Sequence, residues 1–197
     1  MKLLFDSQKH TLANFIFRSI LFAVLIIYGW HAIRIAQKAF GDPDAFAFLH
    51  IVDLIFHEAG HLIFLPSVFG KFIHILGGTI MQLLVPLTCM IVLLLKTRDP
   101  FGASVCMWWV GENFLDIAVY MNDAQRMWLP LLGGGFGNTK PYGAHDWNYI
   151  LTETGLLQYN YSLATAIFII GCSIMLLSLL WGLLVIIKHY KGMRLQS

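Results

Sequence analysis

Residues 57–61 read His57-Glu58-Ala59-Gly60-His61, in the middle of a stretch apolar enough to cross a lipid bilayer. No other feature constrains the chain as strongly. In a bilayer the backbone must satisfy its own hydrogen bonds, so a single apolar stretch of this length is helical. On a helix, positions i and i+4 share a face, and both imidazoles can reach one metal ion. Zinc takes such a pair, and the glutamate between them is placed to act as general base on a metal-bound water. Ionisable groups inside a membrane are costly, which marks a cluster of them as functional.

The composition fits this setting. Of 197 residues, 58% are hydrophobic and 12% charged, about half the charged share of a soluble domain, and the mean hydropathy is +0.70. These values predict an all-α, polytopic membrane helix bundle, a single integral membrane domain over residues 1–197. Five stretches approach the roughly 20 residues that span a bilayer: about 14–36, 46–66, 72–95, 103–121 and 162–187. The first is too long for a signal-peptide core and reads as a membrane helix. The second follows a turn at Gly41-Asp42-Pro43-Asp44. A net charge of +2 gives no reason to expect nucleic acid. Cys89, Cys106 and Cys172 lack paired spacing and read as small buried hydrophobes. Residues 122–160 form a polar connection whose run Gly133–Lys140 does not fit a phosphate loop and reads as a flexible loop at the site's mouth. Lys188, Lys191, Arg194 and the short loop with Lys96 and Arg98 favour a cytoplasmic C-terminus, while Lys2, Lys9 and Arg18 pull the N-terminus the same way.

Helical phasing at about 100° per residue puts His50, Asp53, His57 and His61 on one stripe of the second span. Asp53, one turn before His57, is expected to receive that histidine's second ring N–H and fix its tautomer. On the fourth span Glu112, Asp116, Tyr120 and Asp123 share a second stripe, flanked by Asn113. A carboxylate stripe in a membrane needs a partner, and the histidine stripe supplies one. Two histidines and one carboxylate, with a fourth position open to water, make a catalytic zinc site. Gly143-Ala144-His145-Asp146-Trp147 offers further donors in the long connection. His50 alone reads as a satisfied interior histidine. His10, His31, His74 and His189 read as interfacial, near span ends.

At these residues the chain resembles the site-2 protease group of intramembrane zinc metallopeptidases. His57-Glu58-Ala59-Gly60-His61 carries the resemblance, together with Gly77-Gly78-Thr79-Ile80-Met81-Gln82, similar to that family's substrate-holding Gly-Gly-Pro-x-x-Asn segment. Asn113-Phe114-Leu115-Asp116 is similar to its Leu-Asp-Gly segment, with Gln82 and Ile117 standing where the family has Asn and Gly. The resemblance covers about residues 50–120. It implies that His57, His61 and Asp116 bind zinc and that Glu58 is the catalytic base, with His145 or Asp146 as alternative third ligands.

The expected activity is hydrolysis by a zinc-activated water, with one Zn2+ ion and a peptide bond in or near the membrane as target. Gln82, Asn113 and His145 are expected donors to substrate or oxyanion, and His145, Asp146, Glu112 and Asp123 are further candidates for ligation or proton transfer. The expected partners are a membrane protein or peptide substrate and the lipid bilayer. A membrane di-iron enzyme, a lipid-amide hydrolase and a metal or proton transporter are the competing readings.

Overall fold

The computed structural model describes residues 4, 11–42, 45, 47–132 and 134–195. Pro43 and Asp44 of the expected turn, with Lys2, Lys9, His10 and Gly133, lie outside the described residues. The fold is all-α, as the composition predicts. Its helices are α1 (Leu12–Ala39), α2 (Phe48–Ile63), α3 (Pro66–Leu95), α4 (Pro100–Asn122), α5 (Asp146–Glu153) and α6 (Asn160–Arg194).

Among the described residues, three helical stretches are long and apolar enough to cross a membrane: Leu12–Ala39, Pro66–Leu95 and Leu157–Arg194. The sequence predicts five spans. At 16 residues, α2 falls short of a full crossing. Helix α4 is long enough but buries Glu112 and Asn113, so its apolar character is diluted by groups turned into the bundle. These two helices carry most of the polar side chains and pack among the three apolar ones.

Close helix contacts rest on glycine. The chain reverses between α2 and α3, with Gly70 at φ 78° breaking the first turn of α3. This hairpin brings Gly60 against the backbone of Gly77, where a Cβ on Gly60 would overlap the Gly77 carbonyl. Gly111 of α4 and Gly171 of α6 meet in the same way, each within contact of the other helix's backbone. Small residues at such crossings let helices approach where lipid offers no hydrophobic drive for association. Helix α1 packs through a narrow stripe of Gly29, Ala32, Ala36 and Ala39, and leaves Phe17, Ile27 and Trp30 exposed on its outer face.

At the end of the bundle away from the His57 box, Arg18 donates to Asp99 (3.0 Å) and to His189 Nδ1 (3.1 Å), and His189 Nε2 donates to the Thr11 carbonyl (3.0 Å). His189 is therefore buried inside the bundle rather than interfacial. Cys89 is exposed on α3 and Cys106 and Cys172 are half-buried, so these thiols do not fill the core as the sequence suggests.

Helix α5 was not legible as an element. It is anchored against α3 through Ile75, Tyr149 and Ile150, and Lys71 of α3 sits over the Tyr149 ring at 4.6 Å. Asn148 Nδ2 donates to the Ala124 carbonyl at 2.8 Å, which ties α5 to the end of α4.

The α2–α3 crossing gives a direct test. Alanine is a better helix former than glycine by about 1 kcal/mol, so Gly60→Ala would stabilise an unpacked helix. Against the Gly77 carbonyl it must separate the hairpin, with an expected net loss of about 1–3 kcal/mol. Thermal unfolding in detergent, followed by circular dichroism, should show a lower Tm; an unchanged or raised Tm would contradict this crossing.

Candidate metal centre

The hairpin of α2 and α3 builds the site from behind. His57 and His61 lie one turn apart on α2, ring centroids 4.9 Å apart and nearly perpendicular. His61 Nδ1 donates to the His74 carbonyl at 2.9 Å, and His57 Nδ1 faces Gln82 Oε1 at 3.3 Å. Both partners are acceptors, so Nδ1 of each ring carries a hydrogen, and Nε2 is the atom turned toward the centre. Gly78 makes room for one of those rings, since a Cβ there would stand 2.5 Å from His57 Nε2.

Both Nε2 atoms point at one carboxylate. Asp146 Oδ2 lies 2.8 Å from His57 Nε2 and 3.2 Å from His61 Nε2. Asp146 is buried on α5, held where its backbone N–H donates to the Tyr120 hydroxyl at 3.1 Å. Burial opposes ionisation of this carboxyl, but hydrogen bonds and charge attraction from His57 and His61 outweigh burial and hold it down at about 2. The three ligand atoms lie within 4.8 Å of one another, and among the described residues this is the group of His, Cys, Asp and Glu that could hold a metal ion. Two ligands at roughly 2.0–2.1 Å from a tetrahedral zinc stand about 3.3 Å apart. The two nitrogen-to-oxygen distances are close to that value, so the group could hold such a metal ion.

The other sequence candidates lie elsewhere. Asp116, the expected third ligand, is engaged away from the two histidines: its Oδ1 pairs with His50 Nδ1 at 2.6 Å and its Oδ2 accepts from Gln82 Nε2 at 2.8 Å. The carboxylate that reaches the histidines is Asp146, the alternative left open by the sequence. Asp53 does not receive the His57 ring N–H. It faces α4, where Trp109 Nε1 (2.8 Å) and Asn113 Nδ2 (3.2 Å) donate to its Oδ1. Gln82 occupies the place behind His57 instead. Glu112 is buried beside Asp53.

His145 is not among the three converging donors. Its Nδ1 accepts from the Asn148 amide at 3.2 Å as the N-cap of α5, and its Nε2 faces Asp123 Oδ2 at 3.3 Å. Asp123 also accepts from the amides of Trp128 (3.1 Å) and Leu129 (2.9 Å). Together they fix the start of α5 and thus the position of Asp146. Tyr120 fills the space between, its ring 4.3 Å from His145 and 6.1 Å from His57 by centroid.

All of this opens on a cavity of about 850 Å³, within the range of ligand sites. Glu58, His57, His61, Asp146 and Tyr120 line it. Its apolar wall comes from Ala32, Ile35, Ala36 and Ala39 of α1 and from Leu129–Leu132. Gly134 and Lys140 also line it, so the glycine-rich segment stands beside the site as its sequence suggests. His74, read from sequence as interfacial, lines the cavity and supplies the carbonyl behind His61.

No protein-family model matches the chain, and no curated protein or solved structure matches it.

Metal affinity should report the ligand set through protons. Asp146 stays ionised down to about pH 2, so acid release of a bound ion is governed by protonation of the two histidines. Once both imidazoles take a proton on release, the logarithm of the zinc association constant should fall by about two for each pH unit. Titration with a competing chelator measures this, and a slope near one would remove a histidine from the ligand set.

Proposed function

We propose that the protein is a membrane-embedded zinc hydrolase, a metallopeptidase acting on a peptide bond in or next to the membrane. The observation that carries the reading is the convergence of two imidazole Nε2 atoms, each with its Nδ1–H tied behind it, on one buried carboxylate. Three such atoms aimed at a common point are held together only by protons or a cation between them, and one metal ion satisfies two imidazole nitrogens and a carboxylate at once. A single such group among the described residues favours one ion over a di-iron pair.

His57, His61 and Asp146 would hold the zinc. Bound there, zinc lowers the pKa of a coordinated water toward neutrality and polarises a carbonyl. Glu58, between the two histidines and facing the same cavity, takes the attacking water's proton and returns it to the leaving amine. The oxyanion donors expected from sequence are already engaged: Gln82 with Asp116, Asn113 with Asp53 and the Trp109 carbonyl, and His145 with Asp123. Tyr120 takes that role. Its oxygen accepts the Asp146 amide, which leaves the hydroxyl hydrogen to donate into the cavity. The apolar walls from α1 and Leu129–Leu132 suit a membrane-borne chain. The same reading makes the protein multi-pass, with Lys188, Lys191 and Arg194 on the cytoplasmic side.

Metal analysis and turnover test this together. Purified wild type should hold one zinc per chain, and His57→Ala and Asp146→Ala should lose it. Glu58→Gln should keep the ion while hydrolysis of transmembrane peptides in proteoliposomes, read by mass spectrometry, falls by about 10²–10⁴. Undiminished metal-dependent activity in Glu58→Gln would favour transport over hydrolysis, and two irons per chain would overturn the reading. Tyr120→Phe keeps the ring packing and should lower kcat by about 10²–10³ with zinc retained; unchanged kcat would remove Tyr120 from the chemistry.

A further inference from the structure

We propose that Lys71 binds a carboxylate of the substrate, one or two residues from the bond that is cut; the inference rests on the hydrolase reading of the site beside it. Lys71 lies on α3 and lines the cavity that holds His57, His61 and Asp146. Its ammonium stands over the ring of Tyr149 at 4.6 Å and over that of Tyr142 at 5.4 Å. Tyr149 is buried on α5, and Tyr142 donates its hydroxyl hydrogen to Glu153 Oε1 at 2.7 Å. Gly143 closes the same seat: its φ is 96°, and a Cβ there would stand 2.9 Å from Lys71 Nζ. Lys71 and Gly143 line the cavity and the two tyrosines do not, so the rings stand behind the lysine as seen from the cavity.

This seat holds the charge without cancelling it. An aromatic face attracts a cation through its quadrupole and leaves the net charge in place. The ion pairs of the neighbouring carboxylates go elsewhere, Asp116 to His50 and Asp146 to His57 and His61. Lys71 is therefore a fixed positive charge beside apolar walls, where an anion gains more than it would in open water. Its distance from the metal centre follows from two helices. On α3 it is three residues before His74, whose carbonyl accepts from His61 Nδ1 at 2.9 Å. On α5 its ring partner Tyr149 is three residues after Asp146. Three residues of helix advance about 5 Å, and an extended peptide advances about 3.4 Å per residue. A peptide carbonyl at the metal thus places Lys71 one or two residues along the chain. The carboxylate can come from a free C-terminus or from an Asp or Glu side chain.

Three matched leucine–alanine peptides test this: one neutral, with a C-terminal amide and a glutamine; one with a free C-terminal carboxylate; and one amidated, with the glutamine replaced by glutamate at successive positions. Binding is read by fluorescence anisotropy on purified Glu58→Gln protein in detergent, so that no turnover is needed. An anionic peptide should bind about 10–100-fold more tightly than the neutral one. Lys71→Met should remove the difference, and Lys71→Arg, which keeps the charge, should retain it. Preference for the free acid marks removal of residues from a chain end, and preference for glutamate marks an internal cut. With Glu58 intact, Lys71→Met should raise KM for the preferred peptide by the same factor and leave kcat nearly unchanged. Equal binding of all three peptides overturns the proposal. So does a preference that survives in Lys71→Met, whether the metal or Lys140 takes the carboxylate or Lys71 meets only anionic lipid. A protein that shows the Lys71-dependent preference but holds no zinc and cuts none of the peptides would sink the hydrolase reading and leave the carboxylate site standing.

Discussion

The structure depends on a carboxylate and two imidazole nitrogens held at one point inside an apolar bundle. Asp146 Oδ2 stands 2.8 and 3.2 Å from the Nε2 atoms of His57 and His61. Left to themselves these donors would turn apart. Each is prevented by a contact on its far side: the His74 carbonyl behind His61, Gln82 behind His57, and the Tyr120 hydroxyl on the amide of Asp146. The α2–α3 hairpin, the glycine crossing at Gly60 and Gly77, and the capping of α5 by His145 all serve to hold those three contacts in place.

The polar groups that do not touch the donor point have a common logic. An ionisable side chain in a membrane must be paired, and here nearly every one is paired with a group from another helix. Asp53 takes Trp109 and Asn113, Asp123 takes His145 and two loop amides, and Asp116 takes His50 and Gln82. The apolar helices α1, α3 and α6 enclose this network and let only one face of it open to the cavity.

The fold class and half of the site were legible in the sequence. Hydropathy marks the long apolar helices, and the i, i+4 spacing of His57 and His61 puts both rings on one face of the helix that carries them. The third donor was not decidable. Asp116 has the right helical phase relative to its neighbours, but phase on one helix does not say which helix it will face, and here Asp116 is turned toward His50 and Gln82. Asp146 lies in what reads as a polar connection. A signal for α5 is nevertheless present: Trp147, Ile150 and Leu151 recur at helical spacing just after His145-Asp146. Asp53 fails for the same reason as Asp116. Its stripe angle about 40° from His57 is enough to turn it from α3 toward α4. Gln82 and Gly78, which stand behind His57 and make room for its ring, depend on a crossing that one-dimensional spacing cannot reveal.

Zinc-edge X-ray absorption of the purified wild-type protein tests the central claim most directly, because it reads the donor atoms rather than their consequences. Two imidazole nitrogens and carboxylate or water oxygens at about 2.0–2.2 Å, four-coordinate overall, with the carboxylate contribution lost in Asp146→Ala and kept in Asp116→Ala, is the predicted result. A shell with fewer than two imidazoles, or one that is altered by Asp116→Ala and unchanged by Asp146→Ala, would contradict it.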